Sequence, residues 1–303
     1  MSLEQDYPPP PTGPTATDST TPSGSPDEAL ARGELLLTVE DNPVNQKLTR
    51  HQLRLLGYVT DFADDGLQGL ARWRQGHYRL VLTDLHMPIM DGYEMVRAMR
   101  REEAASGNPR TVVVALTANA MKGQAELCLA AGMDDYLAKP VSLSRLGGVL
   151  SHWLGRPSGN RQTADASRTE HEESSSLIDQ AMSAVDVGVL AALVGNKPAL
   201  LERFLTDYLR HGQTYQQSLL AALASGDLRE AGALAHKLKS SSRSVGALAL
   251  GELCERIESA GRAGQQVEVV ALGPALASHW REVAAAIEAW LTSESMANED
   301  TSR

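Results

Sequence analysis

The 303-residue sequence has few aromatic side chains, few cysteines and no long apolar run. Aromatic residues make up only 4% of it, so its cores must be built mainly from leucine, valine and alanine. The two cysteines, Cys128 and Cys254, lie far apart in helical patterns, so we expect neither a disulfide nor a zinc site, and a reducing cytoplasm is the simplest setting. No run approaches the roughly 18 apolar residues that a membrane helix needs. We therefore expect no direct membrane contact in this chain.

The chain also lacks the features of a nucleic-acid-binding protein and of an ATP-dependent kinase. Its net charge is −10 and no basic stripe offsets it, which argues against nucleic acid as a partner. It contains no glycine-rich ATP lid, no asparagine-bearing nucleotide box and no P-loop. We therefore expect that this chain does not make phosphohistidine from ATP by itself.

Three polar segments divide the chain. Half of the 14 prolines fall before residue 27, among many Ser, Thr and Gly residues, and such a composition cannot form a core. We interpret residues 1–32 as a disordered linker, 155–180 as a flexible linker and 294–303 as a disordered tail. The segments between them, 33–154 and 181–293, are the two predicted domains.

The two predicted domains differ in their hydrophobic pattern. In residues 33–154, short apolar strands alternate with amphipathic helices, which predicts a doubly wound, five-stranded parallel sheet with helices on both faces. Residues 181–293 show helical spacing only, which predicts an all-α bundle. Its predicted helices are 186–194, 198–223, 227–244, 248–262 and a fifth that runs through Leu276, Trp280, Val283, Ile287 and Trp290.

The predicted strands of the first domain end in residues that suit phosphate chemistry. Glu40 and Asp41 close the first strand, and Asp84 closes the third. Because ligands gather at the carboxyl ends of parallel strands, these carboxylates should share one crevice, where they would repel each other without a cation. Hard oxygen ligands of this kind select Mg²⁺. Thr117 and Lys139, at the ends of the fourth and fifth strands, are suited to contact a phosphoryl group.

This first domain resembles the receiver domain of two-component response regulators. The motifs VEDN, LTDLHMPIMDG, ALTANA and DDYLAKP follow one another in the family's order and span the domain. The resemblance implies that Asp84 is the phosphoacceptor and Asp41 a direct Mg²⁺ ligand. It further implies that Glu40 acts on the metal mainly through water and that the main-chain carbonyl of His86 completes the coordination. Many relatives have aspartate where this chain has Glu40.

The same resemblance assigns the residues that respond to phosphorylation. Lys139 would contact the phosphate, and Thr117 and Tyr136 would be the switch pair that reorients. The bond between Lys139 and Pro140 is expected to be cis. The side chains of His51 and His86 are assigned no chemistry.

A second set of polar residues lies on one predicted helix of the bundle. His236, Lys239, Ser240 and Arg243 fall at positions i, i+3, i+4 and i+7, which predicts one polar stripe with an exposed imidazole and two cations. The frame AHKLKSSSRSVGA resembles that of a histidine-containing phosphotransfer (Hpt) domain. The resemblance implies phosphorylation at a ring nitrogen of His236, with Lys239 near the phosphate and Ser240 and Arg243 in its surroundings.

Ser240 departs from the Hpt pattern, which usually has glycine after the lysine. Two interpretations remain open from the sequence. The added hydroxymethyl group either obstructs a docking receiver, so that Ser240→Gly would speed transfer to a non-cognate receiver, or it hydrogen-bonds to the cognate receiver, so that the same change would slow cognate transfer.

A phosphoaspartate frame followed by a phosphohistidine frame predicts a phosphorelay protein. Asp84 would accept a phosphoryl group from an upstream histidine kinase with Mg²⁺ and exchange it with His236, which would pass it to a downstream response regulator receiver. We expect the C-terminal part of a hybrid sensor histidine kinase, cytoplasmic or tethered to the inner membrane through the longer protein, rather than a free-standing module. Two alternatives are an Hpt-mediated phosphatase of a partner's phosphoaspartate and a non-transferring interaction module.

Overall fold

The computed structural model describes residue 29 and residues 34–76, 78–118, 122–155 and 184–301, with side chains as far as residue 294. The linkers predicted at 1–32 and 155–180 lie almost wholly outside the described residues, as do Asn119 and Ala120 at the end of the ALTANA motif.

The first domain is built on a five-stranded parallel sheet in the order β2-β1-β3-β4-β5. All its neighbouring strands are parallel, and Leu36 of β1 is in register with Thr60 of β2 and Leu80 of β3. This topology confirms the predicted doubly wound fold. The strands are β1 (Leu36–Val39), β2 (Thr60–Ala63), β3 (Leu80–Asp84), β4 (Val112–Thr117) and β5 (Asp135–Ala138).

Helices cover both faces of this sheet and bury its alternating side chains. Leu37 and Val39 point into an apolar cluster with α2, α3 and α4, whereas Leu36 points into a second cluster with α1 and α5 on the other face. Successive residues of a strand face opposite sides, so one strand contributes to both cores. The helices are α1 (Pro43–Leu55), α2 (Gly66–Gln75), α3 (Gly92–Ser106), α4 (Lys122–Ala130) and α5 (Leu143–Leu154).

Side-chain caps fix where the helices nearest the carboxylates begin. Asn42 caps α1, because its side-chain oxygen accepts a hydrogen bond from the backbone N–H of Val44 at 3.0 Å. Asp91 and Glu94 form a reciprocal capping box at the start of α3, with a bond of 2.7 Å from Glu94 N–H to Asp91. Helix α1 therefore starts at Pro43, two residues after Asp41, and holds the acidic pair at the edge of the sheet.

The second domain is helical throughout its described residues. The predicted segments are present with their ends shifted by up to two residues, and a short helix, α10, was not predicted. The last helix continues to Thr301, so residues 294–301 are helical where a disordered tail was expected. The helices are α6 (Val187–Val194), α7 (Pro198–Ser225), α8 (Leu228–Ser244), α9 (Leu248–Arg262), α10 (Gln266–Ala271) and α11 (Gly273–Thr301).

Among the described residues, no helix combines the length and the apolar character that a membrane crossing requires.

The two domains are docked through helix α1. Leu48 of α1 is buried within the apolar core cluster of the helical domain. Gln52 donates from Nε2 to the carbonyl of Leu193 at 3.1 Å, and a ring nitrogen of His51 lies 3.0 Å from the carbonyl of Val194. Lys47 pairs with Asp207 at 2.5 Å. His51 was assigned no chemistry from the sequence, and its observed contact is one of docking.

Gly246 joins α8 to α9 at a point where only glycine fits. Its φ is +83°, and a Cβ there would lie 2.0 Å from the carbonyl oxygen of Asp186. Gly264, at the end of α9, also has a positive φ of +70° but has open space around its Cβ position. Alanine substitutions at the two positions therefore separate the free-energy cost of the left-handed backbone from that of the steric clash.

We predict that Gly246→Ala destabilises the helical domain by about 2 kcal/mol or more, and Gly264→Ala by about 1 kcal/mol. Both variants carry the penalty of a left-handed alanine, but only the first must also displace Asp186. Urea unfolding followed by circular dichroism measures the difference. Equal midpoints for the two variants would contradict the prediction.

Candidate functional site

Three carboxylates converge at the carboxyl edge of the parallel sheet. Glu40 and Asp41 follow β1 and Asp84 ends β3, the neighbouring strand. One ligand atom from each lies within 4.8 Å of the others. A close set of hard oxygen donors is the ligand chemistry that Mg²⁺ prefers, so the residues present fit the predicted metal. The sequence-based expectation that these strand ends share one crevice is met.

Two lysines offset the charge of this cluster. Lys139 Nζ lies 2.5 Å from both Glu40 Oε2 and Asp84 Oδ2. Lys237, which comes from α8 of the other domain, places its Nζ 3.0 Å from Asp41 Oδ2. Buried charges persist only when they are paired, and each of the three carboxylates has a cationic partner here. Lys237 was not among the residues singled out from the sequence.

The pKa values of the cluster reflect burial opposed by these lysines. Burial, together with the neighbouring carboxylates, raises the pKa of Glu40 to about 7 although Lys139 opposes it. Burial also raises the pKa of Asp41 against the effect of Lys237. Burial acts the same way on Asp84, but Lys139 and His236 outweigh it and lower the pKa of that carboxyl. Of the three carboxyl groups, that of Asp84 is therefore the one most readily ionised.

The remaining receiver residues surround this cluster. Thr117 is buried at the end of β4, where its carbonyl accepts a hydrogen bond of 2.7 Å from the backbone N–H of Lys139. The bond from Lys139 to Pro140 is cis, as the resemblance implied. Tyr136 is half-buried against an apolar cluster. The backbone N–H of His86 lies 3.3 Å from Asp84 Oδ1. The roles assigned to these residues, including the His86 carbonyl as a metal ligand, stay predictions.

His236 is buried between the two domains, which corrects the expectation of an exposed imidazole. It retains 6% of its accessible surface, because the docked receiver covers its helix face. Its Nδ1 lies 2.9 Å from Glu258 Oε1, and its Nε2 is buried without a hydrogen-bond partner among the described residues. The ring packs edge-on against His86 with centroids 5.2 Å apart. His86, assigned no chemistry from the sequence, is thus a neighbour of the histidine.

Glu258 of α9 organises the polar stripe around His236. Besides His236 it accepts a hydrogen bond of 2.6 Å from Lys239 Nζ, and it pairs with Arg262. Arg243 pairs instead with Glu255 at 2.6 Å. The stripe predicted on α8 therefore exists, but its two cations are bound by carboxylates of α9. A periodicity argument on α8 alone could not find Glu258, because the contact depends on how two helices pack.

The pKa of Glu258 shows how strongly it is held as an anion. Burial alone would raise it, but hydrogen bonds and charges from His236 and Lys239 outweigh burial and lower the pKa to about 2. A carboxyl whose folded pKa is depressed stabilises the fold above its ordinary pKa of 4.5 and loses that contribution as the pH falls toward about 2. Glu258 thus stays ionised at neutral pH and keeps an acceptor on Nδ1 of His236.

Ser240 meets the receiver through a hydrogen bond. Asn45 of α1 donates from Nδ2 to Ser240 Oγ at 2.8 Å and to Glu40 Oε1 at 3.2 Å. Asn42 donates from its own Nδ2 to the carbonyl of Lys237 at 2.9 Å. Of the two interpretations left open for Ser240, the hydrogen bond is the one found with this chain's own receiver.

The comparisons with known families agree with this division of the chain. Residues 36–150 match the model of the response regulator receiver domain, and residues 203–296 match the model of the Hpt domain. The chain therefore carries a receiver domain followed by an Hpt domain and belongs to the two-component phosphorelay proteins. Both resemblances seen in the sequence are confirmed.

Two curated relatives match most of this chain. The chain is 32% identical over 285 residues to the virulence sensor protein BvgS of Bordetella pertussis, a match that covers 92% of this chain and 22% of BvgS. It is 31% identical over 236 residues to the sensor histidine kinase GacS of Pseudomonas protegens, covering 77% of this chain and 25% of GacS. The chain thus spans about a quarter or less of the length of these relatives.

Among solved structures, the receiver domain of a sensor histidine kinase from Pseudomonas aeruginosa is 41% identical to this chain. The match covers 41% of this chain and 99% of that one, with a TM-score of 0.37. That crystal structure has a magnesium ion coordinated in its active site cleft. Receiver domains generally bind Mg²⁺.

We predict that Glu258→Gln slows phosphorylation of His236 by at least about tenfold, the kinetic equivalent of one lost charge-assisted hydrogen bond. The amide cannot supply the anionic acceptor that orients the imidazole through Nδ1. The measurement is the rate of phosphohistidine formation from a phosphorylated receiver.

Glu255→Gln is the matched control for this change. Glu255 lies on the same helix and pairs with Arg243, but its contact with Lys239 is 3.9 Å and it does not bind His236. We expect this variant to stay within about twofold of the wild-type rate, as for an exposed ion pair. Equal losses in both variants would contradict a specific role for Glu258.

Proposed function

We propose that Asp84 and His236 exchange a phosphoryl group within this chain. The observation that supports it most directly is the docking of the two domains around one buried site. His236 packs against His86, which lies two residues after Asp84, with the ring centroids 5.2 Å apart. A docked donor and acceptor convert a bimolecular step into an effectively unimolecular one.

The acceptor atom on the imidazole is Nε2. Glu258 occupies Nδ1 and, as an anion, keeps the ring proton on that nitrogen, so the lone pair remains on Nε2. In transfer from the receiver, the bond between phosphorus and the Asp84 oxygen breaks as the bond to Nε2 forms. The Asp84 carboxylate is regenerated, and Lys139 neutralises it at 2.5 Å.

Mg²⁺ belongs to this proposal: Asp41 and Asp84 would bind it directly, Glu40 mainly through water, and the main-chain carbonyl of His86 would complete the coordination. When bound, it neutralises charge that develops on the phosphoryl oxygens. Lys139 already contacts two of these carboxylates, so the chain's own contribution is to hold the acidic residues together and to orient Asp84.

The partners follow from what this chain contains. An upstream histidine kinase phosphorylates Asp84, and a downstream response regulator receiver takes the group from His236. This chain matches only 25% of the sensor histidine kinase GacS, so we assign the ATP-dependent step to a region or protein other than this chain. The direction of net transfer depends on those partners.

The relay is tested with two single variants of the full chain. Asp84→Asn should abolish Mg²⁺-dependent, base-labile labelling by acetyl phosphate, because no carboxylate remains to accept the group. His236→Gln should leave the receiver labelled but stop onward transfer to a second receiver. The measurement is the distribution of labelled phosphate over time between this chain and that receiver.

The same experiment separates the alternatives. A phosphatase would remove phosphate from a partner without label ever appearing on His236. An interaction module would show no label on either residue. Undiminished onward transfer by His236→Gln, or persistent base-labile label in Asp84→Asn, would refute the relay.

Ser240→Gly should slow transfer between Asp84 and His236 by about three- to tenfold, the value of one neutral hydrogen bond. The change removes the acceptor for Asn45 Nδ2 and so loosens the docked receiver. Rapid-quench measurement of phosphohistidine formation gives the rate.

Ser278→Gly on α11 is a control that introduces the same helix penalty at a partly exposed serine, whose hydroxyl donates to Glu282 on the same helix. Asn45→Ala should slow transfer at least as much as Ser240→Gly, because it also removes the hydrogen bond to Glu40. The double variant should be no slower than Asn45→Ala alone, because the contact between Asn45 and Ser240 is already lost in that variant. Faster transfer in Ser240→Gly would instead favour obstruction.

A further inference from the structure

Lys237 is the cation that the Hpt domain inserts into the acidic site of the receiver. It follows His236 on α8, and its side chain leaves the Hpt surface to end 3.0 Å from Asp41 Oδ2. Its backbone carbonyl accepts the hydrogen bond from Asn42, so both ends of the residue are bound by the receiver. The ammonium lies 6.0 Å from the centre of the Tyr215 ring, which flanks its path.

Charge at this site is not balanced by the two lysines alone. At a pH above about 7, where Glu40 is ionised with Asp41 and Asp84, the three carboxylates facing Lys139 and Lys237 leave one negative charge in a buried crevice. Without Lys237, two negative charges would remain uncompensated. Docking therefore improves the charge balance of the receiver, which gives Lys237 an attractive role in holding the domains together.

Mg²⁺ competes with Lys237 for the same carboxylate. The metal takes its ligand oxygens at about 2.0–2.1 Å, so binding to Asp41 brings it within a few ångströms of the ammonium. With Mg²⁺ and both lysines present, the site carries one positive charge. Two cations at such a separation repel each other, and in a buried site this repulsion is weakly screened. Metal binding should therefore weaken docking.

A phosphoryl group on Asp84 reverses the effect of Mg²⁺ on docking. It replaces one carboxylate charge by up to two negative charges, so Mg²⁺, Lys139 and Lys237 together bring the site close to neutrality. Docking is then favourable with the metal bound. Coupling of this kind is reciprocal: the factor by which Mg²⁺ changes the docking equilibrium equals the factor by which docking changes the affinity for Mg²⁺.

We propose that Lys237 is a positioning residue that couples domain docking to the charge of the receiver site. Mg²⁺ alone weakens docking of the Hpt domain on the receiver, and Mg²⁺ together with a phosphoryl group on Asp84 restores it. The second half rests on the proposed exchange between Asp84 and His236, whereas the first half concerns Mg²⁺ and docking only.

The test measures docking and metal affinity in the full chain without any transfer. Small-angle X-ray scattering reports the radius of gyration in EDTA, in MgCl₂, and in MgCl₂ with beryllium fluoride as a mimic of the phosphoryl group, at constant ionic strength. Calorimetric titration with MgCl₂ gives the affinity. In the wild type, the radius should rise with MgCl₂ and fall again with beryllium fluoride.

Three variants isolate the charge of Lys237. Lys237→Met should bind Mg²⁺ at least about fivefold more tightly, the lower end of typical coupling, and its radius should no longer respond to MgCl₂. Lys237→Arg should behave like the wild type. Lys47→Met removes another cross-domain ion pair, the one with Asp207, so it should weaken docking in EDTA yet keep a response to MgCl₂.

Several results would overturn the proposal. An unchanged Mg²⁺ affinity in Lys237→Met, an identical response to MgCl₂ in wild type and Lys237→Met, or a Lys237→Arg chain that behaves like Lys237→Met would each do so. These readouts are independent of the relay. A failed labelling experiment with an intact Mg²⁺ response would reject the proposed function and leave the metal coupling standing.

Discussion

The mutual repulsion of buried carboxylates at one sheet edge is the constraint on which the rest of this structure depends. Parallel strands bring Glu40, Asp41 and Asp84 together because their carboxyl ends share an edge. Such a cluster is stable only with cations beside it. One cation, Lys139, comes from the same domain, and another, Lys237, comes from the Hpt domain. The site thereby extends across the domain boundary.

Helix α1 connects the acidic site to the docking surface. It begins two residues after Asp41, and its capping residue Asn42 also donates a hydrogen bond to the Hpt backbone. One turn on, Asn45 bonds to both Glu40 and Ser240. Leu48 follows and enters the core of the other domain. A few side chains of a single helix therefore connect the carboxylates to the Hpt domain.

The environment of His236 is also built from more than one helix. Helix α8 supplies His236, α9 supplies Glu258, and the receiver supplies the covering surface with His86. Glu258 fixes which ring nitrogen is engaged, and burial keeps the other away from solvent. The imidazole is therefore oriented by Glu258 and covered by the receiver, as the proposed exchange with Asp84 requires.

Local pattern in the sequence determined the elements, the parallel sheet and the residues at its strand ends, because periodicity and strand-end position are properties of short segments. It also identified His236 and its stripe on α8. Only the tertiary structure decided that Glu258 binds the imidazole, that Lys237 reaches Asp41, and that the imidazole is buried rather than exposed. The reason is physical: periodicity reports which face of a helix is apolar, but which polar groups of distant segments meet is fixed by packing.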